Sequence, residues 1–291
     1  MTIIKARVLG YCVGVKRAID TAKKALEEYS GQRSVYTLGP LIHNPIVLKN
    51  LEDKGLKVLS EKEIPQLEPS SVVIIRAHGT TPKVLEDLES REAMVIDCTC
   101  PRVHLSQKRA AESCGNGFDL LIAGDRNHGE VISIEGYSNG NVTVIQSTDE
   151  AKALELGEKT AIIAQTTFSP KEFDQICTVL KQKAGNEKQL VIYNSICSAT
   201  MERQTALDEL EGKTDGIIVI GGRNSANTRR LYEKALKIAP KAVLIEKEDE
   251  IPEDFYALGT VGLTAGASTP DIIIEKVEKS LQEQSLKIQK K

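Results

Sequence analysis

The sequence predicts an α/β protein made of three related small domains, with mostly parallel sheets around a pseudo-threefold central cavity. Two observations favour this class. Apolar runs typical of buried strands alternate with segments whose apolar residues have helical spacing, which is the pattern of parallel sheets covered by helices. A short motif with one cysteine just ahead of a predicted helix also occurs three times, at Cys12, Cys100 and Cys197, one copy in each third of the chain.

The composition is that of an ordinary globular protein. Of the 291 residues, 41% are hydrophobic and 27% are charged, and no apolar run approaches the roughly 20 residues that span a bilayer. The N-terminus lacks the apolar segment of a secretory signal, which favours a cytoplasmic location where six cysteines seldom form disulfides. A net charge of −3 and the lack of tryptophan argue against nucleic acid as a partner, and no membrane partner is expected.

The first predicted domain covers residues 1–97. A helix follows Cys12, and its apolar face consists of Ala18, Ile19, Ala22, Ala25 and Leu26. A strand at 35–39 runs into a polar turn with His43 and Asn44, and a buried strand at 72–77 runs into His78. The order is cysteine, helix, then two strands that each end in a polar turn.

The second predicted domain, residues 98–195, has the same order. Pro101 is a preferred first helical residue, so a helix should begin directly after Cys100. The strand at 120–124 runs into the turn that contains His128, and the strand at 161–165 runs into Thr166. The repeat therefore includes the polar turns as well as the cysteine.

The third predicted domain covers residues 196–279. After Cys197 come a helix, a strand at 216–222 that leads to Ser225, and a strand from 259 onward that leads to Ser268. The remaining residues, 280–291, form a polar, lysine-rich tail that we expect to be a fraying helix end.

All of these polar turns lie where an α/β fold places its ligands. Ligands bind beyond the carboxyl ends of parallel strands, and the cysteines and polar turns follow such ends. Three domains about a pseudo-threefold axis would therefore bring the turns into one site. Cys12, Cys100 and Cys197 precede helices, where a thiolate is stabilised, which suits a metal ligand. The metal could be zinc with an added histidine, or an iron–sulfur cluster.

The other cysteines have no counterparts in the repeat. Cys98, Cys114 and Cys177 are therefore expected to be packing residues or incidental thiols.

Histidines and one glutamate complete the candidate site. Three of the four histidines, His43, His78 and His128, end strands in matching polar turns, whereas His104 lies inside a predicted helix. Histidines, hydroxyls and amides near helix N-termini are groups that bind a phosphate or diphosphate. Glu130 follows His128 by two residues and is a candidate proton donor beside Thr166.

These residues also carry a family resemblance that covers nearly the whole chain. The sequence resembles the LytB family of 4-hydroxy-3-methylbut-2-enyl diphosphate reductases, which act last in the methylerythritol phosphate route to isoprenoids. The match is an ordered set of short motifs, each weak alone. They are GYCVGVKRA around Cys12, IHN around His43, AHG around His78, TCP around Cys100, NHGEV around His128, QTT around Thr166, ICSATMERQ around Cys197, NSAN around Ser225 and TAGAS around Ser268.

The resemblance implies a cofactor and roles for particular residues. It implies one [4Fe–4S] cluster with an open iron, held by Cys12, Cys100 and Cys197. Cys100 is selected over Cys98 because the family's cysteine precedes proline. It implies that the diphosphate lies among His43, His78, His128, Thr166, Ser225, Ala226, Asn227 and Ser268. It also implies that Glu130 and Thr166, beside His128, pass protons to the substrate, and that the electrons come from an external donor such as ferredoxin or flavodoxin.

Two positions depart from the family pattern. Ala226 stands where many members have a second phosphate-binding serine, so one hydrogen bond is absent or replaced. Gly129 stands where many have proline, and we expect this to loosen the loop that presents Glu130.

Two other functions stay open on the residues alone. One is a zinc-dependent hydrolase of a phosphorylated metabolite that uses the three cysteines and a histidine. The other is a non-catalytic phosphate-binding module with cysteines in its core, although the chain lacks the glycine-rich fingerprints of nucleotide binding.

Overall fold

Three parallel sheets of four strands each form the framework of residues 1–289, the part of the chain that the computed structural model describes. These residues belong to two compact units. The first unit contains Met1–Lys16, Ile42–Asn50 and the residues from Ser198 onward. The second unit contains Arg17–Leu41 and Leu51–Cys197. The predicted α/β class is confirmed, and all strand pairs within the described residues are parallel.

The first unit holds one sheet between two apolar cores. Its strands, in spatial order, are β1 (Thr2–Lys5), β12 (Thr260–Ala265), β10 (Gly216–Ile220) and β11 (Ala242–Ile245). Helices α8 (Ser198–Asp208) and α9 (Ala226–Ile238) pack on the face that carries Ile217 and Val219. Helix α10 (Asp271–Gln289) packs on the opposite face. Alternation of side chains along β10 supplies both cores.

The second unit holds the other two sheets. One has the spatial order β3 (Leu56–Leu59), β2 (Val35–Leu38), β4 (Val72–Ile75) and β5 (Met94–Asp97). The other has the order β7 (Val142–Ile145), β6 (Asp119–Ala123), β8 (Lys159–Ala164) and β9 (Gln189–Tyr193). The central strands are almost wholly apolar and buried, as expected for parallel strands covered on both faces.

Helices link the strands of both units. Their bounds are α1 Val13–Tyr29, α2 Pro45–Glu52, α3 Pro82–Ser90, α4 Pro101–Gly115, α5 Gly129–Gly136, α6 Thr148–Ala153 and α7 Pro170–Ala184. Short 3-10 helices occur at Glu61–Gln66, Glu248–Glu250 and Glu253–Ala257. In α1 the buried residues are the five that the sequence predicted.

The three sheets share one strand order, but the third copy is completed by the start of the chain. Read from β11, the first unit's sheet runs β11, β10, β12, β1, which matches β3, β2, β4, β5 and β7, β6, β8, β9. Strand β1 pairs with β12 through residues such as Ile3 with Val261. Thus Thr2–Lys5 belong to the sheet of the last third, whereas residues 35–97 form a sheet of their own. The division into domains at 97 and 195 stays a prediction.

The end of the chain is helical as far as it is described. Helix α10 extends to Gln289, so residues 280–289 of the predicted polar tail are helical. Lys290 and Lys291 lie outside the described residues. Within residues 1–289, no helix combines the length and the apolar character that crossing a membrane requires.

Candidate active site

The three repeated cysteines occupy equivalent places in the three sheets. Each follows the last strand in its row, β1, β5 or β9, and its backbone N–H donates to a carbonyl in the turn after the neighbouring strand. The N···O distances are 3.1 Å from Cys12 to Ala267, 3.0 Å from Cys100 to Ala77 and 2.8 Å from Cys197 to Thr166. The repeated bond fixes the backbone of each cysteine at an equivalent place in its sheet.

Each of these thiols also lies at the start of a helix. Cys100 is the N-cap of α4, and α1 and α8 begin directly after Cys12 and Cys197. The Val15 N–H lies 3.4 Å from Cys12 Sγ, within the range of a weak hydrogen bond to sulfur. All three cysteines are only partly buried. The donors therefore fit a metal centre that prefers sulfur ligands.

The remaining cysteines lie in different surroundings. Cys98 and Cys177 are buried, and burial raises the pKa of both thiols, that of Cys177 to about 11. Cys177 belongs to the apolar core beside β8, and Cys114 packs at the edge of another core. Burial thus disfavours the thiolates of Cys98 and Cys177, and the packing of all three residues agrees with the predicted role.

Glu130 and Thr166 form a buried pair in the second unit. Glu130 lies in the first turn of α5 and is 1% exposed, while Thr166 follows the end of β8. The Thr166 N–H donates to Glu130 Oε1 at 2.6 Å, and its hydroxyl donates to Oε2 at 2.7 Å. Because the Thr166 carbonyl accepts from Cys197, one residue joins the carboxyl group to a candidate metal ligand.

Burial shifts the protonation equilibrium of Glu130. Desolvation raises the pKa of its carboxyl group from 4.5 to about 7, and the nearby Asp125 adds to the increase. The two hydrogen bonds from Thr166 act in the opposite direction but do not cancel it. Glu130 can therefore hold a proton near neutral pH and release it in a reaction, as a general acid must.

Two histidines lie in contact near this carboxyl group. His128 is the N-cap of α5, and its Nδ1 accepts from the Glu130 N–H at 3.1 Å. In its neutral form the ring therefore carries its proton on Nε2, which can donate to an anion. The ring of His78 meets that of His128 edge to face, with centroids 5.0 Å apart.

In the first unit, His43 and Ser268 lie against one glycine-rich turn. The Ser268 hydroxyl is 3.5 Å from the His43 carbonyl oxygen. Gly222 packs so tightly on that carbonyl that a side chain there would overlap it. His43 is followed by Asn44, whose Oδ1 accepts from Val47 N–H and thereby begins α2.

The first unit also buries polar groups that lack partners. Asn227 is 4% exposed, and among the described residues neither its Nδ2 nor its Oδ1 has a hydrogen-bond partner. The same is true of the hydroxyls of Thr228 and Thr264. Ser225 is the N-cap of α9 and accepts from Thr228 N–H at 3.4 Å. Since unpaired buried polar groups are costly, this cluster is suited to a polar ligand.

The whole chain matches a known protein family. Residues 3–282 match the model described as LytB protein. The chain belongs to the LytB protein family.

Curated relatives and solved structures extend this match over almost the whole chain. A protein of Treponema denticola, named 4-hydroxy-3-methylbut-2-enyl diphosphate reductase, is 42% identical, over 97% of this chain and 100% of its own length. A protein of Caldanaerobacter subterraneus subsp. tengcongensis with the same name is 42% identical, over 95% of each chain.

Two solved structures carry corresponding names. The structure of (E)-4-hydroxy-3-methyl-but-2-enyl diphosphate reductase, described as the terminal enzyme of the non-mevalonate pathway, has 36% identity and a TM-score of 0.69, over 97% of this chain and 100% of that one. The E-1-hydroxy-2-methyl-but-2-enyl-4-diphosphate reductase of Plasmodium falciparum has 26% identity and a TM-score of 0.87, over 97% and 87%. LytB proteins are iron–sulfur oxidoreductases of isoprenoid biosynthesis, and this member is an oxidoreductase.

The histidines of this LytB protein do not all lie in matching turns, contrary to the sequence-based expectation. His43 and His128 follow β2 and β6, which are equivalent strands, whereas His78 follows β4. The residues equivalent to His78 are Thr167 and Ser268, because each turn closes with the same backbone hydrogen bond, such as Gly79 N–H to Arg76 O. Short polar turns after short strands look alike in sequence. The pattern alone therefore could not separate the turns after β2 and β6 from those after β4 and β8.

Two arginines that the sequence analysis missed hold the cysteine loops of this LytB protein. Arg17 Nη2 donates to the Thr99 carbonyl, next to Cys100, at 2.6 Å. Arg203 Nη2 donates to the Gly10 carbonyl, two residues before Cys12, at 2.5 Å. Both arginines follow a cysteine by five or six positions, at Cys12 and Cys197, and this spacing was the available signal.

The structure gives a physical reason for glycine at position 129. The Arg76 guanidinium lies where a side chain at this position would begin, so any larger residue would have to displace it. Gly129 is the first residue of α5, directly before Glu130. Ala226, the other departure, is 4% exposed and lies next to the unpaired Asn227 amide.

Proposed function

We propose that this protein reduces 4-hydroxy-3-methylbut-2-enyl diphosphate to isopentenyl and dimethylallyl diphosphate, removing the allylic hydroxyl group as water with two electrons and two protons. The relatives carry the name of this reductase over almost the full chain. The observation that carries the proposal is the buried Glu130–Thr166 pair, which joins a proton donor to the Cys197 loop.

We assign the cofactor to the three equivalent cysteines. Cys12, Cys100 and Cys197 would hold one [4Fe–4S] cluster whose fourth iron has no protein ligand. When bound, such a cluster supplies electrons and a Lewis-acidic iron for the substrate hydroxyl. Two observations support this assignment: each cysteine follows the equivalent strand of its sheet, and each backbone N–H donates to the equivalent carbonyl of the neighbouring turn. They also support the proposed organisation of the chain as three related repeats.

We assign the diphosphate to histidines, hydroxyls and amides of the polar turns. His43, His78 and His128 would donate to its oxygens, together with Ser225, Asn227 and Ser268. The hydrogen bond that His128 Nδ1 accepts from the Glu130 N–H orients that ring, and the unpaired amide of Asn227 is a further candidate donor; both support these roles. Ala226 adds no side-chain donor, so its contribution is limited to its backbone at the start of α9. Holding the diphosphate orients the distant hydroxyl group for reaction.

Proton delivery follows from the contacts of Glu130. When protonated, its carboxyl group can donate to the Thr166 oxygen, and the Thr166 hydroxyl can then donate to the departing hydroxyl of the substrate. Burial keeps this proton available near neutral pH because it raises the carboxyl pKa to about 7. The backbone bond from Thr166 N–H keeps the two side chains in register.

The electrons would come from a small reduced protein such as ferredoxin or flavodoxin, and a cytoplasmic location is part of this proposal. The test is iron and sulfide analysis of anaerobically purified protein, followed by turnover of the diphosphate with a reduced carrier. We expect four irons and four sulfides per chain, and loss of both in Cys100→Ser but not in the matched variant Cys98→Ser. Zinc without iron or sulfide would instead support a hydrolase.

A further inference from the structure

A small cavity of the second unit is lined in part by α5, and none of the residues assigned to the proposed reaction belongs to its lining. Its volume is about 230 Å³, and its lining includes Arg76, Thr80, Thr81, Gly129, Ile132 and Ser133. Pockets for drug-sized ligands have volumes of roughly 300–1,000 Å³, so an occupant here would be smaller. The lining combines one cation with several hydroxyl groups and apolar side chains.

The cation is Arg76, which begins the turn after β4. Its guanidinium lies across Gly39 and Gly129, close to where side chains at those positions would begin. The absence of a Cβ at both glycines leaves the space that the guanidinium occupies. The guanidinium therefore lies between two glycines that line the cavity with it.

The equivalent residue in the neighbouring sheet shows what Arg76 lacks. Gln165 begins the matching turn after β8, and its Oε1 accepts from Asp125 N–H at 2.9 Å. In the part of the chain described by the structure, Arg76 has no such bond from its guanidinium to an oxygen acceptor. The side chain at this point of the repeat is thus tied to the loop after the neighbouring strand β6 in one sheet, whereas in the other it lines a cavity.

An arginine in this position carries a desolvation cost that an anion would remove. Burial lowers the pKa of Arg76 below its usual value, and only the carboxylate of Glu61 opposes this. Glu61 is exposed and belongs to the cavity lining. Since arginine favours oxyanions through paired hydrogen bonds, phosphate and carboxylate groups are the ligands that this arrangement suits.

We propose that this cavity binds a small metabolite bearing a phosphate or carboxylate group, with Arg76 as its counter-ion and the Thr80 and Thr81 hydroxyls as further partners. The site is separate from the residues assigned to the diphosphate substrate. Its occupant would contact Gly129, one residue before Glu130.

The test uses anaerobically purified full-length protein and inorganic phosphate, measured by equilibrium dialysis. The wild type should bind one phosphate per chain in this cavity, in addition to any phosphate in the proposed substrate site. We expect Arg76→Met to lose the cavity phosphate, or to bind it roughly tenfold to hundredfold more weakly. Lys83→Met removes one positive charge from the exposed face of the adjacent helix α3 and should leave the binding unchanged. Malonate as a competitor distinguishes a carboxylate site from one that accepts phosphate alone.

Two further variants cover the case in which Arg76→Met does not fold. Ile132→Trp should block the cavity without a change in charge, since Ile132 is 44% exposed and lies in the lining. Glu61→Gln should tighten binding because it removes a like charge beside the anion. Two results would overturn the proposal: equal phosphate stoichiometry and affinity in the wild type and in Ile132→Trp, or weaker phosphate binding in Glu61→Gln. Either would show that the cavity is not an anion site and that Glu61 is the natural partner of Arg76.

Discussion

The carboxyl group of Glu130 has two protonation states of similar free energy near neutral pH, and this property belongs to one residue and its immediate contacts. Desolvation favours the neutral state, while the two donors on Thr166 favour the charged one. Because desolvation is larger, the carboxyl group is poised to give up a proton and recover it at physiological pH.

Replacement of this carboxyl group should remove turnover but leave the binding of iron and substrate intact. Glu130→Gln keeps the shape and one acceptor of the side chain but cannot deliver a proton, so we expect kcat to fall by about 10²–10⁴-fold. Iron content and substrate affinity should stay close to wild type. Glu135→Gln on the same helix is the matched control. Anaerobic steady-state kinetics measure both, and near-normal kcat in Glu130→Gln would exclude the proposed proton path.

The same group makes stability depend on pH. The folded pKa of about 7 exceeds the unfolded value of 4.5, so the folded state binds more protons between these values. The contribution of Glu130 to the free energy of unfolding is fully present below pH 4.5. Up to about 3 kcal/mol of it is lost as the pH rises through 7. In Glu130→Gln this loss should be absent. Urea unfolding at several pH values measures it, and parallel curves for the two proteins would contradict the shifted pKa.

At the scale of elements, α5 is held to its neighbours by a buried serine. Ser133 lies one turn after Glu130, accepts from Gln107 Nε2 at 2.6 Å and donates to the Thr80 carbonyl at 3.3 Å. Gly79, with a φ of +74°, packs so closely on Ser133 and Gln107 that a side chain would overlap both. The Ser133 hydroxyl thus joins α4, α5 and the loop after His78.

Removal of that hydroxyl should loosen all three elements. Ser133→Ala leaves the Gln107 amide and the Thr80 carbonyl without a partner, which should cost about 1–3 kcal/mol. The control is Ser138→Ala, because the buried Ser138 hydroxyl has no partner within residues 1–289. Thermal unfolding of the two variants measures the difference. Equal melting temperatures would mean that the Ser133 contacts do not stabilise the protein.

Elements of this kind follow from sequence to different extents. Helix α1 and strands β6, β8 and β10 could be predicted because their apolar patterns are long and regular. The pocket around Arg76 could not, since it depends on a glycine far along the chain at position 129. Nor could spacing separate Cys98 from Cys100. Only the proline after Cys100 and the burial of Cys98 do so.

At the scale of the whole molecule, the largest difference from the sequence pattern is the position of β1. Four residues carry too weak a signal to show which sheet they join. Their register with β12 places Thr2–Lys5 in the sheet of the last third of the chain. The cysteine that follows β1 is thereby brought to the same relative position as the other two.

Deletion of Thr2–Lys5 should therefore affect one unit and spare the other. Without β1, strand β12 becomes an edge, so we expect amide exchange at 260–265 to accelerate while exchange at 159–164 stays slow. Iron content should also fall, because Cys12 loses the strand that precedes it. Deletion of residues 287–291 is the control. Hydrogen exchange by mass spectrometry measures both, and unchanged protection of β12 would contradict the observed pairing.

The pairing of β1 with β12 also sets an order of events during synthesis. Thr2–Lys5 are made before the other strands of their sheet, but their partner strand is complete only when translation has reached Ala265. The two sheets of the second unit are made from continuous stretches that end at Asp97 and Tyr193, so they can form earlier. The loop of Cys12 is therefore the last of the three to be fixed, and cofactor insertion should wait until Ala267, which accepts from the Cys12 N–H, has been made.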